Sequence, residues 1–110
     1  MISLKPGVGL DDLCPQMVLA ITIAEGVWAL LGIGELVVTS VNDGVHAGGA
    51  RPSLHPLGRA ADLRTQTLAP GDRAKAAADL AHRLGPEFDV LHEGIGTPNE
   101  HIHIQWDPPA

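Results

Sequence analysis

Residues 17–34 form an apolar stretch with a single charge, at Glu25, and this stretch constrains the fold more than any other part of the 110-residue chain. Its length approaches the roughly 20 apolar residues that cross a bilayer. Because Glu25 and three glycines interrupt it and no basic segment follows, we interpret it as a buried helix. The sequence therefore favours a globular domain with no membrane partner.

This buried helix has recognisable start and stop signals. Asp11 or Asp12 can provide its N-cap, and Pro15 is tolerated in its first turn. Gly32 is expected to end the helix near residue 31. One narrow stripe should face water while the rest, including a tryptophan at position 28, is packed. The stripe consists of Thr22, Glu25, Gly26 and Ala29.

The remaining sequence contains strand signals and a second helix. Runs of β-branched and alternating residues predict strands at Leu36–Val41, 59–64, 88–91 and His101–Trp106. Residues 42–56 form a long loop, and Asp72 is expected to cap a helix that ends at Gly85. The order of elements predicts a single α+β domain over residues 1–110. It should be a small antiparallel sheet of about four strands with helices packed on one face.

Composition narrows the class of function. Apolar residues make up 45% of the chain, which fits one globular core. A net charge of −6 with seven scattered Lys and Arg argues against a nucleic-acid partner. Cys14 is the only cysteine, so no intramolecular disulfide forms, and we expect a buried small hydrophobe. Residues 1–9 lack the pattern of a signal peptide, so we expect the protein in the cytoplasm at synthesis.

The predicted last strand separates polar from apolar side chains. His101 and His103 are two residues apart and point to the same face, whereas Ile102 and Ile104 point to the opposite face, into the core. This pattern allows two interpretations. It is either half of a metal site or an exposed strand face that carries histidine by chance.

A second segment supplies further candidate ligands. His55 precedes Asp62, and a turn at residues 56–58 can fold the two together because Gly58 accepts a positive φ. Histidines and a carboxylate with a nearby acid or base fit a catalytic zinc site that keeps one open position. Glu100 is the candidate base, and Glu93, at the end of the neighbouring strand, is its rival.

These residues resemble a known family. Residues 53–62 fit the S-x-H-x-x-G-x-A-x-D motif of the zinc D-alanyl-D-alanine peptidases. That superfamily also includes VanX-type dipeptidases, bacteriophage L-alanyl-D-glutamate endolysins and the hedgehog signalling domain. His101-Ile102-His103 resembles the family's H-x-H strand. The resemblance extends from residue 36 to about residue 107 and is closest to short, phage-type single-domain members.

The resemblance implies a site and a reaction. His55, Asp62 and His103 would bind Zn²⁺, Glu100 would be the general base, and His101 would lie beside the metal and stabilise an oxyanion. Ser53 would support the site through hydrogen bonds to the ligands. The implied protein is a hydrolase, a zinc metallopeptidase that cleaves an amide bond in peptidoglycan stem peptides during cell-wall degradation. D-Ala-D-Ala carboxypeptidase and L-Ala-D-Glu endopeptidase activity both remain open.

Some features depart from the family pattern. Residues 39–44 lack the arginine with which many members bind the substrate carboxylate, leaving Arg51 or Arg64 as substitutes. The alternative function is a catalytically inactive, zinc-stabilised module that binds cell wall or belongs to a phage particle. Release by lysis or carriage in a virion, the oligomeric state and the metal bound in vivo stay open.

The other histidines and the last tryptophan have less specific interpretations. His46 is expected to be an exposed loop residue, with contact to a substrate in the cleft as the alternative. His82 and His92 are expected to be structural or exposed. Trp106 either lines the cleft or belongs to the core.

Overall fold

A computed structural model describes residues 1–11, 13–41 and 58–108 of the chain. In these residues, a five-stranded sheet packs against two helices. In chain order the elements are β1 (Ile2–Leu4), α1 (Pro15–Leu30), β2 (Leu36–Val41), β3 (Ala60–Arg64), α2 (Pro70–Leu84), β4 (Phe88–Glu93) and β5 (His101–Trp106). The predicted α+β class is confirmed, with one strand more than expected.

The additional strand is β1, which pairs in parallel with β2. The strand order is β1-β2-β3-β5-β4, and the other three pairs are antiparallel. α1 connects β1 to β2, and a helical crossover of this kind makes the two strands parallel. Three residues are too few for a period-2 pattern to be visible in the sequence, so this strand was not predicted.

The hydrophobic core lies between the helices and one face of the sheet. From the sheet, Leu63, Ile102 and Ile104 are each fully buried. Burying one such side chain contributes about 1.5–3 kcal/mol, which fixes the orientation of β3 and β5. α1 contributes residues spaced three and four apart, as an amphipathic helix does. They are Met17, Ala20, Ile21, Ala24, Val27 and Trp28, so the predicted core position of the tryptophan is confirmed.

The register of β3 and β5 determines which side chains point away from the helices. Leu63 lies opposite Ile102 in the core. Because side chains alternate along a strand, Asp62 and the residue opposite it, His103, face the other way. This second face, called the polar face below, carries the candidate site.

The start of α1 differs from the prediction. The helix begins at Pro15, and Cys14 occupies the N-cap position without a side-chain cap. The backbone N–H of Cys14 donates to the carbonyl of Gly58 at 3.0 Å, so the chain before the helix is already anchored. Asp11 is therefore not the cap, and Asp12 lies outside the described residues. Cys14 itself is half-buried at the edge of the core.

The start of α2 also differs. The helix begins at Pro70 with Ala69 at the N-cap, and Asp72 lies in the first turn instead of capping the helix. Proline is favoured at the first helical position because its φ suits the helix and its missing N–H would be unpaired there. From the first turn, the negative charge of Asp72 still lies near the positive end of the helix dipole.

Both helices end at the predicted glycines, but α1 is more exposed than predicted. Gly32 and Gly85 have φ of +84° and +85° and terminate the two helices. Outside the predicted polar stripe, Leu19 is 60% and Leu30 70% exposed, because among the described residues nothing covers this side of α1. None of the described helices is long and apolar enough to span a membrane.

Candidate metal centre

The polar face of the sheet brings candidate residues together in two neighbouring rows. In the first row, Asp62 of β3 lies directly opposite His103 of β5. In the second row, two residues along the strands, Arg64 of β3 lies opposite His101 of β5, which in turn lies opposite Glu93 of β4. All five side chains share one face because strand residues two apart point the same way.

His103 and Asp62 form a close pair. The imidazole Nδ1 is 2.7 Å from Asp62 Oδ1, and its Nε2 is 3.3 Å from Gln105 Oε1. Only 1% of the His103 side chain is exposed, and burial opposes the charged imidazole. The hydrogen bonds to Asp62 and Gln105 outweigh that effect, so the pKa of His103 is raised above its ordinary value.

This pair has the chemistry of two metal ligands. Both ring nitrogens of His103 face acceptor oxygens, so the Nδ1 position is occupied by a proton or can be taken by a cation. Two ligands about 2.0–2.2 Å from a tetrahedral zinc ion are about 3.3 Å apart. The observed 2.7 Å hydrogen bond would need to open by roughly half an ångström to admit the ion. Asp62 and His103 therefore fit two of the predicted zinc ligands.

The third predicted ligand cannot be placed. His55 lies outside the described residues, as do Ser53, His46 and Arg51. Within the part of the chain that the structure describes, no group of three or more His, Cys, Asp or Glu side chains could hold a metal ion. Gly58, at the end of the predicted turn, has φ of +96°, which is the left-handed conformation that the sequence predicted for it.

His101 is held beside the Asp62–His103 pair. Its Nδ1 lies 2.8 Å from the carbonyl oxygen of Asn99, and its Nε2 lies 3.1 Å from Glu93 Oε1 and 3.9 Å from Asp62 Oδ1. Burial works against the charged ring, but the Asn99 carbonyl and the two carboxylates raise the pKa of His101. The ring is therefore an N–H donor next to the candidate metal ligands.

Glu93 provides a carboxylate on the same face. Its side chain is 42% exposed and contacts His101 Nε2. It occupies the last position of β4, two residues beyond the predicted end of that strand. Solvent access and a neighbouring N–H donor are what a carboxylate needs to exchange protons with a reacting water.

Glu100 occupies a different environment. Its carboxylate accepts hydrogen bonds from Arg73 Nη1 at 2.7 Å, His92 Nε2 at 2.6 Å and the Gly96 N–H at 3.4 Å. The side chain is only 4% exposed. The bond from His92 lowers the pKa of Glu100 below its ordinary value of 4.5, helped by Gly96 and Arg73 and opposed by burial.

The partners of Glu100 place its carboxylate on the helix side of the sheet. Arg73 belongs to α2, and His92 lies opposite Ile102, whose side chain points into the core. None of the described hydrogen bonds of the Glu100 carboxylate involves Asp62, His101 or His103. The structure thus brings Asp62, His101 and His103 together and joins Glu100 to a separate cluster.

Sequence reasoning missed Arg73 and left Glu93 as a secondary candidate. Arg73 is an ordinary helix residue in the sequence, and only the packing of α2 against β4 brings it to Glu100. A signal for Glu100 was present, however. Glu100 is two and four residues from Ile102 and Ile104, so the alternation along a strand predicts that its side chain points to the core side of the sheet.

The other predictions for histidine and tryptophan have clear outcomes. His92 is structural, because it is 13% exposed and bound to Glu100, while His82 is exposed. Trp106 packs against the core and carries the Arg59 guanidinium 4.8 Å from its ring centroid. Of its two predicted positions, the structure therefore supports the core.

A cleft of about 350 Å³ adjoins the site. Asp62, Arg64 and His101 line it from the sheet, and Lys5, Asn99 and Glu100 contribute from the connections around it. The cleft thus joins one candidate metal ligand, Asp62, and the neighbouring His101 to two positively charged side chains.

Comparisons with protein-family models, with curated proteins and with solved structures found no match for this chain.

Proposed function

We propose that this protein is a zinc-dependent peptidase that hydrolyses an amide bond in peptidoglycan stem peptides. The observation that carries the proposal is the Asp62–His103 pair on the polar face, with His101 and Glu93 in the next row. The peptidoglycan substrate is supported by the resemblance of residues 53–62 and of the H-x-H strand to the zinc D-alanyl-D-alanine peptidases.

The proposed metal ligands are Asp62 Oδ1, His103 Nδ1 and His55. His103 Nε2 lies 3.3 Å from Gln105 Oε1; an Nε2–H donated to this oxygen would leave Nδ1, which is directed at Asp62, to bind the metal. When bound, zinc would supply a Lewis acid that activates a water molecule near neutral pH and polarises a carbonyl group.

Glu93 is the proposed general base in place of Glu100. It is partly exposed on the polar face, where it can take the proton of the attacking water and pass it to the departing amine. The Glu100 carboxylate is buried and already bound by Arg73 and His92. These contacts lower the pKa of Glu100, so its carboxylate is a poor proton acceptor at neutral pH.

His101 is the proposed oxyanion donor. The Asn99 carbonyl fixes the orientation of its ring through Nδ1, so that Nε2 lies 3.1 Å from Glu93 Oε1 and 3.9 Å from Asp62 Oδ1. An N–H donor that is already oriented stabilises negative charge developing on a carbonyl oxygen.

The test compares wild type with Glu93→Gln, Glu100→Gln and the surface control Glu87→Gln. Zinc content is measured by mass spectrometry, and muropeptide hydrolysis by liquid chromatography of the products. We expect Glu93→Gln to retain zinc and to lose about 10²–10⁴-fold in rate. Glu100→Gln should lower Tm while the folded fraction stays active, and Glu87→Gln should behave like wild type.

Two outcomes would contradict the proposal. Loss of hydrolysis in Glu100→Gln but not in Glu93→Gln, with both variants folded, would reverse the assignment of the base. A wild type that binds zinc and cuts no peptidoglycan peptide would refute the peptidase function in favour of an inactive, zinc-stabilised module.

A further inference from the structure

A turn immediately before β5 carries the carbonyl group that orients His101. In this turn of residues 97–100, called the pre-β5 turn below, the Glu100 N–H donates to the Thr97 carbonyl at 3.1 Å. The Asn99 carbonyl oxygen lies 2.8 Å from His101 Nδ1. A carbonyl oxygen can only accept a hydrogen bond, so Nδ1 is the donor. The orientation of the ring therefore depends on where the turn places this carbonyl.

Two side chains that follow β3 hold the pre-β5 turn in place. The Thr65 hydroxyl donates to the Glu100 carbonyl at 3.0 Å. Gln66 Nε2 donates to the same oxygen at 2.9 Å and to the Pro98 carbonyl at 3.3 Å. Gln66 thus binds the carbonyl groups on both sides of Asn99. With both neighbours bound, the Asn99 peptide has little freedom to rotate.

The burial of Thr65 makes its hydroxyl informative. The residue is fully buried, and burying a hydroxyl group is unfavourable unless it forms a hydrogen bond. Valine has nearly the same shape and would fill the same space without needing a partner. Packing alone therefore does not account for threonine here, whereas its hydrogen bond to the pre-β5 turn does.

Gly94 provides the space for the Asn99 carbonyl from the other end of the connection. Its φ is +65°, and a Cβ atom at this position would lie 2.9 Å from the Asn99 oxygen. Alanine at position 94 would force this oxygen or the backbone of residue 94 to move. The carbonyl that binds His101 is thus placed by close packing at Gly94 and by the hydrogen bonds of Thr65 and Gln66.

We infer that Thr65 and Gln66 are positioning residues, which hold His101 in its orientation through the pre-β5 turn. In that orientation Nε2 lies 3.1 Å from Glu93 Oε1 and 3.9 Å from Asp62 Oδ1. The inference rests on the proposed function, in which His101 stabilises the oxyanion. Removing an oxyanion donor costs about 10²–10³-fold in kcat, so this is the largest effect that Thr65 and Gln66 can have through His101.

The experiment uses variants that keep the shape of each side chain. Thr65→Val removes the hydroxyl and Thr65→Ser keeps it, while Gln66→Met keeps the length of the side chain without its N–H donor. Gln16→Met, at an exposed position of α1, is the matched control. We expect kcat for muropeptide hydrolysis by zinc-loaded protein to fall about 10- to 100-fold in Thr65→Val and Gln66→Met, because a displacement of about 1 Å costs up to about 100-fold. KM and zinc content should stay close to wild type, and Thr65→Ser and Gln16→Met should retain kcat.

Two further measurements separate positioning from a general loss of stability. In a His101→Ala background, Gln66→Met should lower kcat no further, because residues that act through one another are not additive. In metal-free protein at one pH, the ¹⁵N chemical shift of His101 Nδ1 should move towards that of the exposed His82 in Thr65→Val and Gln66→Met. It should stay at the wild-type value in Thr65→Ser. Tm of each variant shows that the folded protein is compared.

The outcomes distinguish this inference from the proposed function. Equal losses of kcat on adding Gln66→Met to wild type and to His101→Ala would overturn the inference and leave the peptidase function standing. Unchanged kcat and an unchanged Nδ1 shift in folded Thr65→Val and Gln66→Met would also overturn it. Hydrolysis of no peptide by zinc-loaded wild type would overturn the peptidase function. The Nδ1 shift would then decide by itself whether these two side chains hold His101.

Discussion

Removing the Asp62 carboxylate should change how the stability of the metal-free protein depends on pH. When a chelator keeps the protein free of metal, the buried His103 ring donates its Nδ1–H to Asp62 at 2.7 Å. Asp62→Ala removes this hydrogen bond from a ring of which only 1% is exposed. A hydrogen bond to a charged group contributes about 1.5–3 kcal/mol to stability. For a domain of this size each kcal/mol corresponds to about 4–8 °C in Tm.

The sign of the pH dependence follows from the raised pKa of His103. The folded protein binds the imidazole proton more tightly than the unfolded chain does. In the unfolded chain the pKa of histidine has its ordinary value of 6.5. The resulting stabilisation is complete below pH 6.5 and is lost as the pH rises through the folded-state pKa. Wild type in chelator should therefore lose stability with rising pH in this window, and Asp62→Ala should show a shallower dependence.

Zinc should produce the opposite slope. The metal and the proton compete for His103 Nδ1, so the stabilisation by zinc grows as the pH rises over the same window. At a free zinc concentration 100 times Kd it reaches about 2.7 kcal/mol. Asp62→Ala should lose most of this stabilisation because it removes a ligand.

The assay is thermal unfolding between pH 5.5 and 8.5, with chelator or with excess zinc, for wild type, Asp62→Ala and Asp89→Ala. Asp89 is an exposed carboxylate on the same face of the sheet and serves as the matched control. Parallel pH profiles for wild type and Asp62→Ala in chelator, together with equal shifts in Tm on adding zinc, would refute the proposed pairing.

Two further predictions concern the helix side of the sheet. Because the pKa of Glu100 is lowered, its carboxylate stabilises the fold above about pH 4.5. This stabilisation is lost as the pH falls through the folded-state pKa. The free energy of unfolding should therefore fall less steeply with acid in Glu100→Gln than in wild type. Ile102→Ala should lower the free energy of unfolding by about 2–5 kcal/mol in denaturant titrations, because its side chain is fully buried in the core on the helix side of the sheet. An effect below about 1 kcal/mol would contradict the orientation of β5.

β5 shows how far sequence alone can predict this fold. The alternation of histidine and isoleucine correctly predicted a strand with one polar and one core face, because a period of two leaves no other assignment. The same alternation, extended to the residue before the strand, predicts that the side chain of Glu100 lies on the core face with that of Ile102. The resemblance to a family pattern pointed instead to a catalytic role for this residue, and this role stays a prediction: the Glu100 carboxylate is bound by Arg73 and His92, while Glu100 also lines the cleft that Asp62 and His101 line.

Other features depend on contacts between distant parts of the chain. The partnership of Glu93 and His101 requires the register of the β4–β5 hairpin, and the connection of residues 94–100 does not determine that register by itself. The helix starts were predicted from Asp11, Asp12 and Asp72, whereas a proline at the first helical position marks the start of both helices. Local side-chain capping was a weaker signal than the backbone geometry of proline.

The strand order has a consequence for the stability of the two halves of the site. Asp62 and His103 belong to β3 and β5, each of which has a hydrogen-bonded strand on both sides, whereas Glu93 belongs to β4 at the edge of the described sheet. Edge strands open more readily than central ones in hydrogen exchange, since only one ladder holds them. Detachment of β4 would remove the proposed base while the ligand pair stays assembled, so the protein could bind its metal in a state that cannot yet transfer protons.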